Sequence, residues 1–248
     1  MSDTGVVRNR LRRPHEPLRT FHPRTSPLGA TRRRALETLL PQLGFSVHDD
    51  AVPPPLAPDG TLDGEALFGR TAPLVVEIGS GMGEAVLAMA SADPDRDYLA
   101  VEAHVPGVAA LLAALGNGGP TNIRVAQGDA LELLRDRVPT ASLDAVHAFF
   151  PDPWPKARHH KRRLIRPDVV ALLRDRLRPG GVLHCATDWP DYAAQMLAVL
   201  TADPGLVNTC DGYAPRPPHR PRTRFEERGV TAGRPIADLV FRRAPAPR

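Results

Sequence analysis

The 248-residue chain is predicted to fold as a mostly parallel, doubly wound α/β sheet of seven strands with helices on both faces. Three observations predict this. Short apolar runs alternate with helical patterns from about residue 70 to 200. A glycine-rich turn, Gly79-Ser-Gly-Met-Gly83, follows the first of these runs. Acidic residues then close or follow successive strands, namely Glu77, Glu102 and Asp129. Parallel strands of this kind join by right-handed crossovers, and ligands bind beyond their carboxyl ends where the strand order reverses.

Each element has its own signal. Residues 1–27 are rich in Arg and Pro, poor in apolar side chains, and predicted to be a disordered tail. Residues 28–248 form one domain. Ala35, Leu36, Leu39 and Leu40 share one face of a short helix over residues 30–43. Residues 49–72, rich in Pro, Gly and Asp, read as a loop. Strands follow at Leu74–Ile78, Tyr98–Glu102, Asn122–Ala126, Leu143–Phe150 and Val182–Ala186. Helices begin at Gly83, Pro106, Ala130, Pro167 and Tyr192, and Pro106 suits a first turn. Arg178-Pro-Gly-Gly181 reads as a turn. Two late strands, Leu206–Cys210 and Ile236–Arg242, complete the sheet.

Composition narrows the function. A hydrophobic content of 42% supports one sizeable core. No run approaches the roughly 20 apolar residues of a membrane helix, and the basic N-terminus lacks the apolar stretch of a secretion signal. Cys185 and Cys210 have no metal or disulfide spacing, which fits a reducing cytoplasm. The net charge of +4 conceals a partition. Residues 1–34, 153–166 and 214–248 hold most of the arginines and lysines, and the remainder is strongly acidic. Basic segments segregated in this way suit a polyanion, whose neutralised phosphates release counterions.

The glycine turn has GxGxG spacing, which differs from the GxGxxG of a dinucleotide site, and no Lys-Ser/Thr pair follows it. Gly79, Gly81 and Gly83 allow a tight turn with close approach to a ligand. Glu77 stands two residues before the first of them. A carboxylate there repels a pyrophosphate and suits a ligand that carries an ammonium. Glu102, 25 residues on, can accept from ribose hydroxyls. Asp129 can accept from an adenine amino group, and the same position can cap a helix.

The fourth strand runs into Phe149-Phe-Pro-Asp-Pro-Trp-Pro-Lys156 and then Ala-Arg-His-His-Lys-Arg-Arg163. Prolines 151, 153 and 155 stiffen this turn around Asp152. Trp154 suits either the core or stacking on a base. The following cations suit phosphates. His159 and His160 read as solvated or phosphate-facing, with no third ligand near them for a metal, so no metal is expected.

These motifs resemble the class I S-adenosylmethionine methyltransferases over about residues 70–243. The Phe149–Arg163 stretch resembles the signature of the bacterial tRNA (guanine-N7-)-methyltransferase family. Ala186-Thr-Asp-Trp189, Pro221-Arg-Thr-Arg-Phe-Glu-Glu-Arg-Gly229 and Asp238-Leu-Val-Phe-Arg-Arg243 are similar to three further segments of that family. Arg24-Thr-Ser26 resembles its Arg-rich entry without the usual Gln-rich continuation. The resemblance implies a Rossmann-like fold with a cofactor-binding core at about 70–200 and an RNA-contacting part at about 205–243. It implies S-adenosyl-L-methionine as cofactor, tRNA as partner, and a monomer or homodimer. It also implies methylation of a guanine N7, that of the variable loop. Glu77, Glu102, Asp129 and Asp152 would contact the cofactor with the turn at Gly79, Gly81 and Gly83, and Asp152 would be catalytic. Lys156, Asp188, Thr223, Arg224, Phe225 and Glu226 would contact the substrate nucleotide. Arg224 stands where the family often has Lys. Asp188 and Glu226 could accept from guanine N1–H and N2–H₂.

Two other readings are open. A class I methyltransferase acting on another RNA or a small molecule would leave the basic loop unexplained. A non-catalytic RNA-binding protein would not need the intact acidic strand ends. An NAD-dependent oxidoreductase is disfavoured by the GxGxG spacing.

Overall fold

The computed structural model describes residues 20–21 and 28–245. The predicted tail, apart from Thr20 and Phe21, and the Arg24–Ser26 likeness lie outside the described residues. The order of elements is α1 (Ala30–Leu43), β1 (Gly44–Ser46), α2 (Gly64–Phe68), β2 (Leu74–Ile78), α3 (Glu84–Ala92), β3 (Asp97–Glu102), α4 (Val105–Gly116), β4 (Ile123–Gln127), α5 (Ala130–Asp136) and β5 (Leu143–Phe149). A 3₁₀ segment (Ala157–Arg162) follows, then α6 (Pro167–Arg176), β6 (Leu177–Thr187), α7 (Pro190–Ala202), β7 (Leu206–Asn208), α8 (Arg224–Thr231) and β8 (Ala237–Arg243).

These strands form one sheet in the order β1-β4-β3-β2-β5-β6-β8-β7. Neighbours from β1 through β6 are parallel, and β8 and β7 pair antiparallel at one edge. The strand order reverses between β2 and β5, which are neighbours although two strands separate them in sequence. A crevice must open there, because the crossovers from β2 and from β5 leave in opposite directions.

Burial alternates along the central strands and divides the core in two. Val76, Leu99, Val146 and Leu183 face α2, α5, α6 and α7. Val75, Tyr98, Ala100 and Ala145 face α1, α3 and α4. The sheet is therefore covered on both sides, as its near-continuous apolar strands require. Prolines 106, 167 and 190 sit in the first turns of α4, α6 and α7, where a missing N–H costs nothing.

The sheet has eight described strands instead of seven. The additional one, β1, pairs with β4 through Gly44↔Val125. A Cβ at Gly44 would lie 1.9 Å from the Val125 carbonyl oxygen, so only glycine lets the two backbones approach. Three residues are too few to show a period of two, which hides this strand in the sequence. The loop read over 49–72 contains α2, capped by Asp63, whose carboxylate accepts from the Ala66 N–H at 2.9 Å. The expected turn at 178–181 bulges from the start of β6, between the pairs Leu143↔Leu177 and Ala145↔Val182.

Candidate active site

The loops after β2, β3, β4 and β5 open into one cavity of about 520 Å³, closed on one side by the start of α8 and by Thr20 and Phe21. Its size suits a nucleoside-sized ligand.

The glycine turn forms its floor. Gly79, Gly81 and Gly83 have φ of 75°, 57° and 87°, a left-handed backbone that side chains with a Cβ rarely adopt. The N–H groups of Gly79 and Ser80 donate to the Val101 carbonyl, that of Gly83 to the Ser80 carbonyl, and that of Gly81 to Glu102 Oε2 at 2.7 Å. A phosphate-binding turn presents such groups to its ligand; these four are already spent within the protein. Gly83 does not line the cavity. A Cβ there would meet Leu111 Cδ1 at 2.6 Å, so its role is to seat α3 against α4.

Glu77, at the end of β2, is 3% exposed, and its Oε2 is buried without a hydrogen-bond partner. Burial, with a smaller contribution from Glu102, pushes its carboxyl up to about 8. Ser80 Oγ and His104 Nε2 are also buried and unpaired, and both residues line the same cavity. Unsatisfied buried polar atoms are rare in folded proteins. Three of them around one cavity leave polar partners for a bound ligand to supply. Glu102 accepts from the Gly81 and His104 N–H groups with its two oxygens, which fixes its plane and leaves a lone pair on each. Asp129 caps α5, accepting from Leu131 N–H at 2.8 Å, and also lines the cavity. Three acids around one cavity fit the chemistry of S-adenosylmethionine, which carries an ammonium, ribose hydroxyls and an adenine amino group.

Asp152 lines the opposite wall on a strained loop. Phe150 and Trp154 take φ of 51° and 45° on either side of it, at a cost of order 1–3 kcal/mol each. What holds the loop is Arg163. It is 1% exposed and donates to the Pro153 carbonyl at 2.8 Å, to Asp191 Oδ2 at 2.6 Å and to Gln195. The basic run was expected to face phosphates as a whole, and this member of it serves the interior instead. Arg166 pairs with Asp168. Lys156, Arg158 and Lys161 are exposed. Trp154 is 3% exposed, donates to the Thr20 carbonyl at 3.1 Å and is covered by Arg162 at 3.7 Å. Of the two roles open to it, the structure selects the core.

Thr223, Arg224 and Phe225 line the cavity from α8. Thr223 caps that helix, and Arg224 reaches across to Glu84 on α3, with its Nε 2.6 Å from Oε1 and its backbone N–H donating to Oε2 at 3.0 Å. Phe225 is 64% exposed. Lys156, Asp188 and Glu226 are not brought to the cavity. Glu226 is buried and paired with Arg220, and Asp188 pairs with Arg234 Nε at 2.8 Å. Both carboxylates brace α8 and its surroundings, so the expectation that they accept from a guanine edge meets acceptors already engaged. Ser80, His104 and Arg228 also line the cavity, beyond the residues to which the motifs point. His104 had a signal, two residues after an acidic strand end and just before Val-Pro; Arg228 lies one helical turn after Arg224.

The family model Methyltransf_4, described as "Putative methyltransferase", matches residues 71–239. The chain is 51% identical over 226 residues to the tRNA (guanine-N(7)-)-methyltransferase of Aromatoleum aromaticum, covering 91% of this chain and 83% of that one. It is 52% identical over 229 residues to the protein of that name from Paraburkholderia xenovorans, covering 92% and 84%. Among solved structures it resembles the 16S rRNA methyltransferase KamB, with a TM-score of 0.55 and 16% identity over 77% of this chain and 95% of that chain, a likeness of fold.

Proposed function

The chain belongs to the tRNA (guanine-N(7)-)-methyltransferase family, and from that premise we propose how its own residues carry out methyl transfer to guanine N7 in tRNA. S-adenosyl-L-methionine supplies, when bound, an electrophilic methyl group on a sulfonium. Glu77 would receive the ammonium, Glu102 the ribose hydroxyls and Asp129 the adenine amino group, on the turn of Gly79 and Gly81. The unpaired Glu77 Oε2 is the observation that carries this reading, since a buried bare carboxyl oxygen gains most from a cationic partner.

Guanine N7 bears a lone pair and no proton, so the attack needs no general base. The chain's work is to orient the base and to exclude water, and good orientation alone supplies several kcal/mol. Asp152 would face the reacting centre. Its carboxylate stabilises the positive ring that develops on methylation more than the neutral guanine that enters. Phe225 offers an exposed ring for the unstacked base. Thr223 and Arg224 would meet the nucleotide, Lys156 would meet a phosphate at the rim, and Asp188 and Glu226 position α8 through Arg234 and Arg220. The target would be the variable-loop guanine. No described helix is long and apolar enough to cross a membrane.

Incubation with bulk unmodified tRNA and methyl-labelled donor, followed by nucleoside analysis, tests the reading. Label is expected in 7-methylguanosine; label in another nucleoside, or none, overturns it. Asp152→Ala is expected to lose on the order of 10²-fold or more in turnover with an unchanged circular dichroism spectrum. Near-normal turnover would remove Asp152 from the mechanism.

A further inference from the structure

Among the described residues, six buried side-chain polar atoms lack a partner. Three face the cavity, one belongs to His160, and the other two are His147 Nδ1 and His184 Nδ1, which lie elsewhere. His147 and His184 pair in register on β5 and β6, with ring centroids 5.8 Å apart. His219, from the segment between β7 and α8, lies 6.0 Å from the first ring and 5.4 Å from the second. One nitrogen from each imidazole falls within 4.8 Å of the other two. None of the three lines the cavity.

The surroundings suit a cation. Asp238, 2% exposed, places Oδ1 2.7 Å from His184 Nε2. A carboxylate behind Nε2, with Nδ1 buried and without a partner on the other side, is an arrangement common behind metal-bound histidines. Arg220 lies beside the trio, but Asp238 grips its Nε and Nη2 at 2.7 and 2.8 Å and Glu226 grips its Nη1. One guanidinium stands between two carboxylates, and Arg96, the other cation near the trio, is itself paired with Asp93 and Asp144.

We propose that His147, His184 and His219 bind one zinc ion, with Asp238 orienting His184 from behind. Imidazole suits zinc, and three such ligands leave a fourth position for water. Zinc–nitrogen bonds of about 2.0–2.1 Å bring ligand nitrogens to roughly 3.4 Å of one another. His219 is the exposed member of the trio, and the proposal requires it to close the remaining distance to that spacing. The ion would tie the segment ahead of α8 to β5 and β6, and so hold the wall formed by Thr223, Arg224 and Phe225. Phe149, which lines the cavity, stacks on His147 at 5.0 Å and links the two sites.

The test is titration of metal-stripped, full-length protein with Zn²⁺ by calorimetry and with Co²⁺ by visible absorption. One ion per chain is expected, with the intense visible bands of tetrahedral cobalt. His219→Ala, an exposed position whose folding circular dichroism checks, should weaken binding by about tenfold or more. Zinc should raise the thermal midpoint of the wild-type protein and not that of His219→Ala. No binding above background, equal affinity in His219→Ala, or loss of binding in His159→Ala/His160→Ala instead would each overturn the proposal. The first result would leave the trio as packed rings that hold no ion. None of these outcomes depends on methyl transfer, so they are read independently of the assigned reaction.

Discussion

A carboxyl group in a dry wall with no partner for one oxygen resists ionisation, and Glu77 keeps its proton to about pH 8 against an ordinary value of 4.5. The folded state then binds more protons than the unfolded chain between those two values, so this group's contribution to stability declines as pH rises through the window. Two outcomes are expected. In the ligand-free protein, Glu77→Gln should raise the thermal midpoint more at pH 8.5 than at pH 6, and equal shifts would remove burial as the cause. In calorimetry, wild-type affinity for the methyl donor should rise from pH 6 to 8 by up to roughly tenfold per unit, because a cationic ligand must find the carboxylate ionised. Glu77→Gln should lose most of that dependence. The sequence marked Glu77 as a strand-end acid facing a ligand. Its altered proton affinity was illegible there, because it arises from side chains packed around it and from Glu102, 25 residues away.

Helix α4 meets the glycine turn at backbone distance. A Cβ at Gly107 would lie 2.4 Å from the Gly81 carbonyl oxygen and 3.3 Å from Glu102 Cγ. Gly107→Ala should therefore push α4 away from the turn and tilt Glu102, while the strands stay paired. Displacement of a binding group by about 1 Å can cost on the order of 10²-fold in rate. The expected outcome is a large loss of donor affinity and turnover with a native-like circular dichroism spectrum; wild-type kinetics would show that the turn accommodates the methyl group. The helix itself was readable from Pro106 and the apolar run that follows. The same is not true of α8. In the sequence, its cap and first turn, Thr223 to Glu226, read as substrate contacts and not as a helix start. Thr223 caps the helix, and its first turn is held by Arg220 through Glu226 and, from α3, by Glu84 through Arg224.

Over the whole molecule, charge sign is segregated, and the exposed Lys156, Arg158 and Lys161 stand beside the cavity's Asp152 loop. Affinity for tRNA should fall linearly in a plot of log K against log salt, and Arg158→Ala should flatten the slope by about 0.7–0.9 if it meets one phosphate. Arg163→Ala should leave the slope unchanged while lowering turnover, since its guanidinium is spent on Pro153, Asp191 and Gln195. A slope altered by Arg163→Ala alone would reverse this assignment. The sequence by itself determined the alternating architecture, the glycine turn, the acidic strand ends and the family signature, because each is written in local periodicity or contiguous residues. Only the tertiary structure decided that Trp154 is core, that Arg163 and Glu226 are braces, that β1 exists, and that His147, His184 and His219 share one place. Those facts depend on which distant segments the crossovers bring within a few ångströms, and the spacing along a chain carries no record of that distance.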